Sequence, residues 1–465
     1  MSLLLALLVV LAPLAVGVML TLIAVGKSVK EIDASVLGYG LILGMLLATV
    51  ILRAMGAANL TLTSSGFLLV SLVTLLFVGL FCKRRLIPPT RHVKQEAVTN
   101  NIPLNLSLYQ KLVFLLMVAL VAAHIIVPAV EASYRPLYPW DAAMHWATKS
   151  KVWFENQSLL PFVSNSDWLL LPTDRVAYTD HHANYPPTMP LLQVWICLAI
   201  GVWSSSAIAA PWFFFLVALA LVFYGQAINL GVSRLCAICF TYFLVSLPMI
   251  GTHAALAGYS DFPLGVVVLA ALAMLVEAEK KKTTGRLALA VVLAISATQI
   301  KNEGFFWALS LVPCALLLFC EQRLAIMLSL GAGLLALTML FLIPTDFVIA
   351  GHSLETLRIS FNPQALVAVF AQFTETDSWH HMPVLVLGAF ILSVPYLKRD
   401  RTLLALLAAM ASALFLYLLL FSLTKFSLGA LRKTDSVRIL LHLAPALMFF
   451  AMLVYKRLSD SLRSC

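Results

Sequence analysis

Charge is what this sequence has least of: Asp, Glu, Lys and Arg together make 11% of its 465 residues. A soluble globular domain carries about 25%. That scarcity excludes a water-facing surface over most of the chain. Alternating ten-residue segments are also missing, which excludes a membrane β-barrel. The seven Cys are scattered. Cys236 and Cys239 form a lone CxxC with no second pair to complete a zinc site, so all seven are expected as reduced thiols with no disulfide framework. Residues 1–25 lack a basic leading region and a clear cleavage site, and are expected as a helix rather than a signal peptide. No internal repeat or low-complexity segment occurs.

What is present is long apolar runs; hydrophobic residues make 62% of the chain. Runs such as 1–25, 34–52 and 403–423 approach the roughly 20 residues that a helix needs to cross the hydrocarbon core. Backbone polar groups in lipid must be satisfied within the segment, so such runs are helices. The expected fold class is all-α, a polytopic transmembrane bundle of about 13 spans: 3–25, 35–53, 65–82, 110–130, 207–227, 235–252, 262–279, 285–300, 303–320, 324–344, 383–398, 402–424 and 437–455. The net charge of +10 sits in short clusters between those runs, the pattern of cytoplasmic loops rather than of a nucleic-acid surface. Lys83-Arg84-Arg85, Lys280-Lys281-Lys282, Lys398-Arg399 with Arg401, and Lys456-Arg457 are therefore expected inside. This sets the N-terminus outside and the C-terminus inside.

Two units are expected. Residues 1–108 hold three N-terminal helices and a basic cytoplasmic linker, 83–108, with Pro88-Pro89. Residues 109–465 form the functional module, whose first large outer loop is 131–206. Residues 189–203 are too short for a span and follow Pro186-Pro187, so they are expected as an interfacial or re-entrant helix on the outer face. Residues 141–154 are expected as an amphipathic helix lying in the interface. Further outer loops are 345–382 and 424–436. The sequons at Asn59, Asn105 and Asn156 decide nothing by themselves.

Five polar groups fall on the outer side, where burying them is costly. Tyr138-Pro139-Trp140-Asp141 with His145, Trp146, Lys149 and Lys151 is the first. Asp141 could be a general base on a hydroxyl or a helix N-cap. The second is Asp180-His181-His182-Ala183-Asn184-Tyr185-Pro186-Pro187. Its histidines could contact a sugar or phosphate, could bind a metal with Asp141 or Asp180, or could belong to a solvated loop. In Gly258-Tyr259-Ser260-Asp261-Phe262-Pro263, Asp261 fits an N-cap. In Lys301-Asn302-Glu303-Gly304, Lys301 could hold a lipid phosphate or be neutralised by Glu303 to close a turn. Last, Arg432-Lys433-Thr434-Asp435-Ser436-Val437-Arg438 runs into an apolar segment with His442 one turn on. There Arg438 either serves a site or snorkels.

At these residues the chain resembles the GT-C glycosyltransferases, multi-helix enzymes that use polyprenyl-phosphate sugars and include protein O-mannosyltransferases and lipid A aminoarabinose transferases. The resemblance covers roughly 110–455. It rests on Trp140-Asp141, Asn184-Tyr185-Pro186-Pro187, Asp261-Phe262-Pro263, Lys301-Asn302-Glu303-Gly304, and Arg438 to Pro445. It departs where the family's Asp-Glu pair is Asp141-Ala142 here, and where three helices precede the usual first. The resemblance implies transfer of a sugar from a polyprenyl phosphate to a hydroxyl of a lipid, glycan or protein acceptor, with inversion. Asp141 would be the base. Lys301 and Arg438 would hold the donor phosphate, with His181, His182, Tyr185, Asp261, Glu303, His145 and Lys149 as further substrate contacts. No metal ligand is assigned, although a divalent ion fits the chemistry of the class. The partners are membrane lipids and no nucleic acid, in a bacterial cytoplasmic membrane with the site on its outer face. A secondary transporter predicts midplane charges, broken helices and a repeat. An O-antigen ligase or polymerase predicts paired arginines in a late outer loop, where only Arg358 stands, with His352, His380 and His381.

Overall fold

A computed structural model describes residues 2–86, 107–342, 344, 347–349, 352–353, 355 and 361–463. Most of linker 83–108, the sequon at Asn105 and Arg358 lie outside the described residues. Within them the chain is all-α. The strands are two-residue pairs: Phe162–Val163 runs parallel to Tyr178–Thr179, and Val348–Ile349 antiparallel to His352–Ser353.

Polar side chains bound the apolar runs, as helix ends require. The Ser2 hydroxyl accepts the Leu5 N–H to start Leu3–Val25, and Gly26 ends it in the left-handed region at φ +67°. Asp33 caps Ala34–Ala57 by accepting the Val36 N–H. Ser107 and Gln110 cap each other's backbone N–H groups at the start of Leu108–Tyr134.

Among the described residues seven helices are long and apolar enough to cross a membrane: Leu3–Val25, Ala34–Ala57, Ser64–Phe81, Leu108–Tyr134, Ala207–Asn229, Asp261–Lys281 and Arg401–Leu423. The expected single span 235–252 is instead two helices, Arg234–Val245 and Pro248–Ala255, bent by 61°. Counted as one crossing they bring the number to eight. Pro248 causes the break, since it has no N–H to continue the ladder and forces Leu247 into extended backbone. Two other expected spans are interrupted. Residues 303–320 divide into Gly304–Ser310 and Val312–Phe319, and 437–455 into Ser436–Leu441 and Ala444–Arg463. Leu76, Phe77, Phe81, Leu112 and Leu115 point outward from their helices. Apolar faces of that extent are compatible with a lipid surround.

The axis of the bundle is Asp261–Lys281, buried at every residue from Asp261 to Ala278. A helix apolar all round belongs in an interior. Its neighbours are Thr284–Ile300, Ala210–Asn229 and Ala444–Arg463. Asp261 stands at one end and Lys280 and Lys281 at the other, about 30 Å apart at 1.5 Å per residue. Near the lysine end, Glu277 accepts from Gln226 Nε2 at 2.8 Å and from Arg286 Nε at 3.1 Å.

The first two N-terminal helices pack into this bundle. Gly17 lies against Gly40 and Gly44, and a Cβ on Gly225 would stand 2.3 Å from the Ser35 backbone. Small residues let helices approach this closely. Most of 189–203, expected as an interfacial or re-entrant helix, is the short helix Thr188–Ile200. It is buried against the chain's other helices from Thr188 to Ala199. Trp195 Nε1 donates to the Val9 carbonyl at 2.9 Å, and Arg53 Nη2 to the Thr188 hydroxyl at 2.9 Å. The apolar side chains on all its faces supply the physical reason. The expected amphipathic helix 141–154 is a π-helical turn, Ala142–Ala147, leading into Thr148–Glu155.

Candidate functional site

Four separate stretches of chain bring their polar groups to the Asp261 end of the central helix. Asp261 is completely buried. Ser260, not Asp261, occupies the N-cap position, and no side-chain cap bond forms, which corrects the capping expectation. The carboxylate instead receives three basic side chains. Lys301 Nζ lies 2.8 Å from Oδ1, His442 Nε2 2.8 Å from Oδ1, and Arg438 Nη2 2.9 Å from Oδ2. A charge so deep is tolerable only with partners of this kind. The three partners come from two other segments, Lys301 from one and Arg438 with His442 from the other, so the ion group also ties those segments to the central helix.

Lys301 follows Thr284–Ile300 in extended backbone, and its ammonium also meets Glu303 at 3.0 Å. Closing the turn with Glu303 and joining a larger site are therefore both true of Lys301. Gly304 permits the turn, because a Cβ there would stand 2.0 Å from the Ala297 carbonyl oxygen. Arg438 and His442 come from Ser436–Leu441 and the residue after it. A Cβ on Gly265 would meet the Leu441 carbonyl oxygen at 2.7 Å. That glycine, one turn beyond Asp261, lets the Arg438 segment lie against the central helix. His442 Nδ1 receives Trp307 Nε1–H at 2.9 Å, which leaves the other ring nitrogen for Asp261.

Asp141 completes the group. It too makes no cap bond; its Oδ2 lies 2.7 Å from Arg438 Nη2. The guanidinium stands 4.2 Å from the centroid of the Tyr259 ring, a cation–π contact that fixes its plane. Arg438 is thus engaged by two carboxylates and a ring, not snorkelling. Gly258, at φ +131°, holds the Tyr259 turn against the first residue after Asp141, since a Cβ on it would stand 2.1 Å from Ala142 Cβ.

A second group lies beside the first. His145 Nδ1 meets Asp180 Oδ1 at 2.7 Å, and Lys149 Nζ meets Asp180 Oδ2 at 2.6 Å and the His182 carbonyl at 3.1 Å. The His182 N–H also reaches Asp180 Oδ1, at 2.9 Å. Burial pushes the Asp180 carboxyl up. The hydrogen bonds from His145, Lys149 and the His182 N–H, with the charge of Lys149, outweigh it and hold the group at about 2. Burial, with His145 and His181 nearby, lowers His182 below the usual histidine value and favours the neutral ring. Tyr185 is raised to about 12, chiefly by burial, so its hydroxyl stays protonated. The Trp146, Tyr185 and His182 rings stack in sequence, with centroids 5.3 and 4.6 Å apart.

Both groups face one cavity of about 340 Å³. Its walls include Asp141, His145, His182, Tyr185, Asp261, Lys301, Glu303 and Arg438, together with Asp435, Phe426 and Ile439. Eight of the ten site residues expected from sequence therefore share a wall. Lys149 stands behind it on Asp180. His181 is exposed and meets the His182 ring, with centroids 4.9 Å apart. Sequence reasoning gave Asp180 only as an alternative metal ligand with the histidines and assigned His442 no role. The signals were adjacency of Asp180 to the histidine pair and the one-turn spacing from Arg438 to His442. Asp435, three residues before Arg438, is a further wall carboxylate. Among the described residues no three His, Cys, Asp or Glu come together in a way that could hold a metal ion. No known protein family, curated protein or solved structure matches this chain.

Proposed function

We propose that this chain is a membrane glycosyltransferase of the GT-C kind, crossing the bilayer about thirteen times with its cavity on the outer face. It moves a sugar from a polyprenyl-phosphate donor to an acceptor hydroxyl. The observation that carries the reading is the convergence of Asp141, Asp261, Lys301 and Arg438 on one cavity. Two fixed cations near a partly accessible carboxylate suit transfer of a group off a phosphate: the cations receive the charge that develops on the departing oxygen, and the carboxylate receives a proton.

In the proposed step the acceptor oxygen bonds to the anomeric carbon from the side opposite the phosphate. The bond from that carbon to the phosphate oxygen breaks, and its electron pair leaves with the polyprenyl phosphate. The hydroxyl proton passes to Asp141, and the single displacement inverts the sugar carbon. Lys301 and Arg438 attract the phosphate, while Asp261 and Glu303 hold those cations in place. The stacked Trp146, Tyr185 and His182 rings and the His145 imidazole offer contacts for the sugar.

The test is transfer of labelled sugar from a polyprenyl-phosphate donor pool by membranes containing wild type or Asp141→Asn. General-base catalysis contributes roughly 10²–10⁴-fold. A loss of that size at unchanged protein level is the expected result; equal labelling removes Asp141 from catalysis.

One feature favours a secondary transporter as a second reading. The helix break at Leu247, with a 61° bend, is of the kind that exposes backbone groups to transported solutes. Solute uptake into vesicles, without donor consumption, distinguishes it.

A further inference from the structure

The cavity that receives a phosphate in the proposed reaction already has more acid than base in its wall. Asp141, Asp261, Glu303 and Asp435 stand against Lys301 and Arg438. Like charges a few ångströms apart repel strongly in a site partly shielded from water. Another anion therefore enters easily only if one of those carboxylates gives way.

Three of the four are held in different ways. The Asp261 side chain is 0% exposed and carries Lys301, His442 and Arg438. Glu303 lies two residues from Lys301 and pairs with it. Asp141 belongs to the outer loop, is 28% exposed, and among the described residues has Arg438 as its one charged partner. Arg438 cannot follow Asp141 out: its Nε and Nη2 hold Asp261 at 3.3 and 2.9 Å, with Tyr259 against its face.

We propose that the Asp141 carboxylate occupies, in the ligand-free protein, the anion subsite on Arg438 that the donor phosphate takes, so that donor binding expels Asp141 and frees it as the base. This inference rests on the glycosyltransferase reading and gives its steps an order. Before donor arrives, the ion pair with Arg438 occupies the Asp141 carboxylate at 2.7 Å. The phosphate presents the planar guanidinium with oxygens of the same charge and similar spacing to a carboxylate. One anion replaces another on Arg438, and the released carboxylate faces the acceptor side of the cavity. Acceptor activation then waits for the donor.

A base that also competes for the phosphate site makes an unusual demand of its variants. Asp141→Asn should lose transfer and yet bind the phosphate more tightly. The experiment is equilibrium binding of farnesyl phosphate to the purified full chain in detergent, with inorganic phosphate as a second arm. The expected result is binding to wild type that becomes about tenfold tighter in Asp141→Asn, equivalent to 1.4 kcal/mol. That gain should disappear in Asp141→Asn combined with Arg438→Gln. Asp141→Ala serves as a second variant with the same expectation, and an unchanged unfolding temperature shows that each variant is folded. Equal or weaker binding in folded Asp141→Asn and Asp141→Ala overturns the exchange while leaving the glycosyltransferase reading standing. No farnesyl phosphate binding to any of these proteins overturns the donor reading itself. Inorganic phosphate binding as tightly as the prenyl compound overturns the lipid-linked source.

Discussion

Asp180 illustrates how single residues are tuned at this site. It accepts from His145 and from the His182 N–H and pairs with Lys149, which together hold it at about 2. Its unfolded value is near 3.9. Since the folded value is the lower, the stabilisation is fully present above about pH 4 and is lost as pH falls toward 2. The loss amounts to about 3 kcal/mol. Comparison of thermal unfolding at pH 6 and pH 3 in wild type and Asp180→Asn checks this. The variant should be less stable than wild type at pH 6, and the gap should narrow at pH 3. The types of residue at the site were legible in the sequence because charge is so rare in this chain that each outer cluster stood out. Their partners were not legible. Asp141 stands at a helix N-cap position and Asp261 one residue past one, and local spacing cannot reveal that Arg438, 297 and 177 residues away, takes them instead.

Among the elements, the central helix and the Arg438 segment decide the geometry. Asp261 and Gly265 are one turn apart on the same helix, and the Leu441 and His442 backbone lies where a Gly265 side chain would go. Gly265→Val is expected to push that segment away, because the nearest atoms are backbone and cannot yield as a side chain tip would. Transfer should fall by at least tenfold, while the apolar bulk of the helix keeps the chain folded. Activity measured beside the unfolding temperature separates the two effects. Long helices such as Asp261–Lys281 were readable from their apolar runs, with ends within about four residues: Ala34–Ala57 and Leu108–Tyr134 each run four residues past the expected end. The breaks were less so. Pro248, Leu311 and the His442–Leu443 turn interrupt runs that look continuous in hydropathy, because breaks depend on backbone geometry that averaged hydrophobicity does not record. Residues 189–203 likewise read as interfacial because they are short. Their burial depends on the two N-terminal helices packed against them, which no local pattern in 189–203 announces.

For the whole molecule, orientation is the property on which the reading depends. The site and the Lys280–Lys281 pair lie at opposite ends of one helix, so the proposed topology, with basic clusters inside, requires the cavity outside. A cysteine introduced at exposed His181 should react with a membrane-impermeant maleimide in intact cells, and one at exposed Lys282 only after permeabilisation, each in a background without the native cysteines. The reverse pattern overturns the topology. The all-α class and the apolar helices follow from composition, since a chain this poor in charge has few other ways to satisfy its backbone.

The most direct measurement of the central claim is donor consumption by the purified wild-type chain in liposomes. A panel of labelled polyprenyl-phosphate sugars is offered with an acceptor-rich envelope extract, and free polyprenyl phosphate is quantified. The account predicts that at least one donor is cleaved, that cleavage depends on acceptor, that the sugar carbon in the product is inverted, and that Asp141→Asn abolishes the reaction. Intact donors throughout, with the same liposomes accumulating a solute, would contradict it.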